Sequence, residues 1–123
     1  MTLVDTSVWI DFLRDGAESE GLESLLETNE ILLHPWVLGE LALGNPGSRM
    51  DRVCGDLRRL PAAPHVADDE VLDLISSRQL AGRGVGWVDV QLIASALVAA
   101  SGFWTLDRSL ASVVTDLGLP VDP

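Results

Sequence analysis

Lysine is absent from this chain of 123 residues, cysteine occurs once and histidine only twice. Each shortage closes off a class of chemistry. A single cysteine, Cys54, permits no intramolecular disulfide and no cysteine-based zinc centre. It lies in Arg-Val-Cys-Gly-Asp with no histidine nearby, so an inert, partly buried thiol is expected rather than a nucleophile. The eight cationic side chains, all arginine, face 19 acids, for a formal charge of −11. That balance disfavours non-specific nucleic-acid binding, which needs a basic surface, and suits a basic protein partner or a bound cation. Long apolar runs are also scarce. The longest uncharged stretch, Val90 to Leu106, falls short of the roughly 20 residues of a membrane span and is interrupted by Gly102. It is expected to be a buried helix, a turn and a buried strand. No basic segment followed by an apolar one and a cleavage site is seen at the start. A reducing, cytoplasmic location away from membranes is expected.

Nearly half of the residues, 47%, are apolar, which suffices for one core and one domain over residues 1–123. No internal repeat or linker divides it. Strand-like runs fall at Thr2–Asp5, Ile31–His34, Phe103–Leu106 and near Pro120–Val121, with a weaker one at His65–Ala67. Helical patterns fill the intervals: Ser7–Arg14, Glu20–Thr28, Trp36–Leu43, Ser48–Leu60, Asp68–Leu80, a long apolar one from Trp87 or Val88 to Gly102, and Arg108–Leu117. Within them Leu22, Leu25, Leu26, Val53, Leu57, Val71, Leu72, Leu74 and Ile75 fall inward. Ala81–Gly86 reads as a flexible glycine-rich loop. Strands alternating with helices imply an α/β fold, a parallel sheet flanked by helices on both faces. Its ligand site belongs at the carboxyl ends of the strands.

Most acids keep charged company: Asp11 and Asp15 flank Arg14, a run extends from Glu18 to Glu30, and Asp68-Asp69-Glu70 opens a helix. Four do not. Asp5 ends the first strand-like run. Glu40 sits in an apolar helix without a proper polar face, so it is expected in an apolar or cleft environment. Asp89 is the only charge from Gly84 to Leu106, and Asp107 follows the last central strand. A buried carboxylate is normally protonated, paired or metal-bound. Three of the four lie in segments without arginine, and hard oxygen ligands without cysteine or histidine select Mg²⁺ or Mn²⁺. Taken singly, Asp5, Asp89 and Asp107 also suit helix capping, and Glu40 suits a solvated position.

At these residues the chain resembles the PIN-domain family, and within it the VapC-type toxins of toxin–antitoxin pairs. The segments are Val4-Asp5-Thr6-Ser7-Val8-Trp9-Ile10, Trp36-Val37-Leu38-Gly39-Glu40-Leu41, Trp87-Val88-Asp89-Val90-Gln91-Leu92-Ile93-Ala94-Ser95-Ala96 and Thr105-Leu106-Asp107-Arg108. Each is weak alone; in this order and spacing they are specific. The resemblance implies a parallel sheet surrounded by helices and a Mg²⁺ or Mn²⁺ site. It implies endonucleolytic cleavage of RNA, with Asp5, Glu40, Asp89 and Asp107 as the metal-site acids and Thr6 and Thr105 as small hydroxyls beside them. Many members carry a further acid two residues beyond the fourth; here that position is Ser109.

The expected reaction is in-line attack on phosphorus by a metal-activated water. Neither His34, before Pro35, nor His65, in a proline-rich loop, is placed as a base, and Thr6 and Ser7 lack a base to activate them. Arg49, Arg52 and Arg59 near one helix face, and Arg83 before Asp89, are candidate phosphate contacts or simply solvated charges. The first two helices offer Trp9, Phe12, Leu13, Leu22 and Leu25, as core or as a groove for a basic, amphipathic antitoxin segment. A homodimer is expected too. The alternatives are a PIN-fold module without catalysis and a phosphatase- or receiver-like phosphoryl hydrolase. The receiver form resembles families that need a lysine, and the phosphatase form families with Asp-x-Asp where this chain has Asp5-Thr6-Ser7.

Overall fold

The computed structural model describes residues 1–14, 16, 19–44 and 48–122. Asp15 and Glu18, counted above among the solvated acids, lie outside these residues. The elements run β1 (Thr2–Val4), α1 (Thr6–Leu13), α2 (Ser19–Glu27), β2 (Ile31–Leu32), α3 (Pro35–Gly44), α4 (Ser48–Leu57), α5 (Asp68–Ser77), α6 (Trp87–Ala99), β3 (Gly102–Trp104), α7 (Arg108–Asp116) and β4 (Val121–Asp122). The strands form one sheet in the order β2-β1-β3-β4, and every pairing is parallel. Thr2 is in register with Ile31 on one side and Gly102 on the other, and Val4 with Trp104. The chain leaves β1 toward β2 and returns to place β3 on the opposite edge. β1 and β3 therefore flank the reversal point, and right-handed crossovers in opposing directions cover opposite faces.

Parallel strands covered on both sides have no polar face, and Leu3, Val4, Phe103 and Trp104 are all fully buried. The first three strands end before the strand-like runs expected at Thr2–Asp5, Ile31–His34 and Phe103–Leu106. β1 stops at Val4 because Asp5 turns to start α1. β2 stops at Leu32, after which Leu33 bridges Ala62. The weak strand expected at His65–Ala67 does not form; Val66 is buried, and the Pro64 carbonyl accepts from Ser95 Oγ at 2.7 Å instead. α6 ends before Gly102, with Ala100 taking the left-handed cap at φ 51°, and Gly102 opens β3. Val90 to Leu106 thus divides into helix, cap and strand. Among the described residues no helix is long and apolar enough to cross a membrane.

The helices attach to this sheet by their apolar stripes. Trp9 and Leu22, offered above as surface for a partner, are core residues instead, while Phe12, Leu13 and Leu25 are only partly covered. A Cβ at Gly21 would lie 3.1 Å from Trp104 Cη2, so the glycine lets α2 rest on the β3 indole. Leu72, expected inward, is exposed because α5 buries the stripe through Val71 and, in part, Leu74 and Ile75. Cys54 is half-buried and free, as expected of an inert thiol.

α3 carries Glu40, and its start is set by an imidazole. His34 is buried and precedes Pro35, and the Trp36 amide donates to His34 Nδ1 at 3.1 Å. Burial lowers the His34 pKa from 6.5 to about 4, and His65 acts in the same direction. The unfolded chain therefore takes up a proton at this site near pH 6.5 that the folded chain refuses until about pH 4. Stability contributed by neutral His34 is complete above pH 6.5 and is lost as pH falls toward 4. His34→Asn keeps a capping acceptor without the titration. In urea melts the variant should gain roughly 2 kcal/mol relative to wild type between pH 7 and 4.5. A pH-independent difference would remove His34 from this role.

Candidate metal centre

Adjacent parallel strands deliver their next residues to one edge, so Asp5, after β1, meets Thr105, after β3. The Asp5 amide donates to the Trp104 carbonyl at 2.9 Å, which extends the pairing by one residue. Thr105 Oγ1 and Ser7 Oγ both donate to Asp5 Oδ2 at 2.8 Å. The same hydroxyls accept from backbone: Ser7 Oγ from the Leu106 amide and Thr105 Oγ1 from the Asp107 amide, each at 3.0 Å. Accepting an amide leaves each hydroxyl proton free to point at the carboxylate. Asp5 is 7% exposed. Asp5 occupies the N-cap position of α1 yet makes no capping bond, so the simple capping reading fails here.

Asp89 and Asp107 do cap their helices. Asp89, in the first turn of α6, accepts the Gly86 amide at 2.9 Å through Oδ2. Asp107 accepts the Leu110 amide at 3.1 Å through Oδ1 at the start of α7. Burial raises the Asp89 pKa above its ordinary value, the Gly86 amide partly opposes this, and the charges of Asp5 and Asp107 push it further up. Three carboxylates thus share one field at the ends of β1 and β3 and the start of α6.

Glu40 corrects the expectation of an enclosed acid. It is exposed, because α3 buries the stripe through Val37 and Leu41 and turns Glu40 outward. It nevertheless reaches the site's margin, where Thr6 Oγ1 donates to Glu40 Oε1 at 2.8 Å. Asp107 is exposed as well. Among the described residues, no three acid, histidine or cysteine side chains are close enough to hold an ion as they stand. The donor chemistry still fits a hard cation. Asp5, Asp89 and Asp107 each accept hydrogen bonds through one oxygen, and among the described residues the other has no protein donor. Free carboxylate oxygens facing like charge suit Mg²⁺ or Mn²⁺.

The arginines fare differently. Arg83 Nη2 is committed to Asp116 Oδ2 at 2.6 Å and approaches Ser112 Oγ at 3.5 Å, so its loop is tethered rather than free. α4 ends at Leu57, placing Arg59 in the turn beyond it rather than on the helix face. Arg49 Nη2 donates to the Leu13 carbonyl at 3.4 Å, and Arg52 is exposed. Among the described residues none of these arginines hydrogen-bonds one of the four acids. Ser7, weighed from sequence only as a nucleophile without a base, is a hydrogen-bond donor to Asp5 in the site. Its signal was its place two residues beyond a strand-end aspartate, in the first turn of a helix. Ser109 also has a steric setting, since a Cβ on Gly84 would lie 3.0 Å from its Oγ.

A parallel sheet whose strand ends gather acids, with further acids on α3 and α6, defines a class, and the chain belongs to the PIN domain family, whose model matches residues 2–115. Within that family it is similar to Ribonuclease VapC32 of Mycobacterium tuberculosis (strain ATCC 25618 / H37Rv). The two are 45% identical over 120 residues, covering 97% of this chain and 94% of the relative. FitAcB from Neisseria gonorrhoeae has the same fold at a TM-score of 0.71 and 19% identity, with 100% of this chain and 97% of that one covered. VapBC2 from Rickettsia felis, solved with a DNA fragment from their promoter, matches at 0.69 and 17%, covering 98% and 96%.

The two hydroxyls are testable without any cation. Ser7→Ala and Thr105→Val each remove a donor to buried Asp5 and an acceptor for a backbone amide. Each should cost about 1–2 kcal/mol in denaturant melts. Because the hydroxyls lie 3.4 Å apart and serve one oxygen, the double variant should depart from additivity by more than about 0.5 kcal/mol. Neutral substitutions would mean that water serves Asp5 equally well.

Proposed function

We propose that the protein is a Mg²⁺-dependent endoribonuclease, the toxin of a type II toxin–antitoxin pair. The observation that carries this reading is the gathering of Asp5, Asp89 and Asp107 at the β1–β3 switch point, with one oxygen of each lacking a protein donor among the described residues. The likeness to a protein named a ribonuclease supports RNA as the substrate. Mg²⁺ or Mn²⁺, when bound, supplies a polarised phosphate oxygen and an acidified water. The chain's own part is orientation. Thr105 and Ser7 hold Oδ2 of Asp5 and leave Oδ1 for the site. The Gly86 and Leu110 amides do the same for Asp89 and Asp107. Thr6 steadies Glu40 at the margin. Neither histidine takes part as a base: His34 is occupied as a helix cap, and His65 stands exposed in a loop before α5. Substrate phosphates fall to Arg49, Arg52 and Arg59, since Arg83 is already paired.

Cleavage of RNA by the purified protein should require Mg²⁺ or Mn²⁺ and stop with EDTA; activity that persists in EDTA would overturn the reading. Asp89→Asn should abolish cleavage. In the metal-free protein the same change should raise stability at neutral pH, because it removes a carboxylate whose ionisation burial and like charges oppose. A raised folded pKa means that wild type itself gains stability as pH falls, so the variant's advantage should shrink in acid.

The partner proposed is an antitoxin segment, basic and amphipathic, on α1 and α2, where Phe12, Leu13 and Leu25 remain partly uncovered. The charge of −11 favours such a partner, and the VapBC2 structure supports a paired arrangement. Reversing the segment's basic residues should slow association and flatten its dependence on ionic strength. Unchanged association kinetics would count against this surface.

A further inference from the structure

We propose that the Arg83–Asp116 ion pair is a positioning clamp for the carboxylate site, holding the 81–86 loop on α7 and so setting Asp89 against Asp107. This rests on the reading of those acids as a cation site. The loop joining α5 to α6 touches its surroundings at three points within four residues. At the first, Arg83 reaches Asp116 Oδ2 at 2.6 Å, in the last turn of α7. At the second, Gly84, with φ 81°, brings backbone onto the first turn of α7: a Cβ there would lie 3.0 Å from Ser109 Oγ and 3.3 Å from Ser109 Cβ. At the third, the Gly86 amide donates to Asp89 Oδ2 at 2.9 Å. Ser109, Ser112 and Asp116 follow one another at i, i+3 and i+7, on one stripe of α7. Asp107, which caps that helix, stands two residues before Ser109.

The loop thus works as a strap between two helix starts, each bearing one carboxylate of the site. With no cation between them these carboxylates repel, and Asp5 adds to the repulsion. The strap opposes their separation. Gly86 transmits the placement directly, because it holds the very oxygen that orients Asp89. A half-exposed ion pair contributes little to overall stability, so breaking it should register in cation binding far more than in folding. Arg83 is therefore a positioning residue, and this role competes with the phosphate contact expected from sequence.

The test measures Mg²⁺ binding to the full chain without RNA, by calorimetry and by the rise in melting temperature. Arg83→Gln and Asp116→Asn should each raise the half-saturating Mg²⁺ concentration about three- to tenfold, less than direct support of a ligand would cost. The double variant should be no worse than either single, since both break one link. Simple charge effects would have opposite signs in the two variants, because one removes a cation and the other an anion. Arg83→Lys should recover part of the loss, and hydrogen exchange at the Gly86 amide should quicken in both singles. Arg58→Gln, on the exposed surface, should change nothing. Unchanged Mg²⁺ binding in the singles, opposite signs, or losses that add in the double would overturn the clamp while leaving the cation site standing. Wild type that fails to bind Mg²⁺ at all would overturn the cation site and the clamp with it.

Discussion

Asp5 is held at the junction of β1 and β3 with almost no exposure to solvent, and the local structure is arranged around that buried carboxylate. A lone ion in such a place costs several kcal/mol. Thr105, just after the neighbouring strand, and Ser7 from the following helix each donate a hydrogen bond to its Oδ2. Those hydroxyls in turn take the amides of Asp107 and Leu106, which shapes the exit from β3 and the start of α7. Thr6, between Asp5 and Ser7, points to α3 and holds Glu40. One strand-end acid therefore organises two helix starts and the link to a third.

Capping and clustering are compatible demands on the other acids. Asp89 and Asp107 each spend one oxygen on a helix N-terminus, and the positive ends of those helices favour negative charge there. The remaining oxygens stay available. Burial and the neighbouring charges raise the Asp89 pKa, which marks a crowding of carboxylates that the proposed cation would relieve. An excess of acids over the whole chain deepens that field. Under the proposed function a chain of net charge −11 would act on a polyanion through a cation, held by the acids and facing the phosphate.

The outer surface carries the second theme. Trp9 and Leu22 belong to the core, so what remains for a partner on α1 and α2 is the fringe of Phe12, Leu13 and Leu25. The loop before α6 looks free by its glycines but is tied to α7 through Arg83. Both cases show long side chains redirected by neighbours distant in the chain, by packing in one and by an ion pair across 33 positions in the other.

Local pattern determined much of this protein. Alternating apolar runs and helical stripes specify a parallel α/β sheet, because strands buried on both faces must be apolar throughout. Asp5 and Asp107 could be placed at a strand end because charge directly after such a run marks the sheet's edge. Tertiary structure alone decided the rest. It ended β2 and β3 earlier than their apolar runs, since hydrogen bonds to the neighbouring strand, and not hydrophobicity, set where pairing stops. It turned Glu40 outward, withheld a strand from His65–Ala67, and gave Ser7 its place on Asp5. It also took Arg83 to Asp116. These outcomes depend on which side chains meet across the fold, and that distance is fixed by packing, not by spacing along the chain.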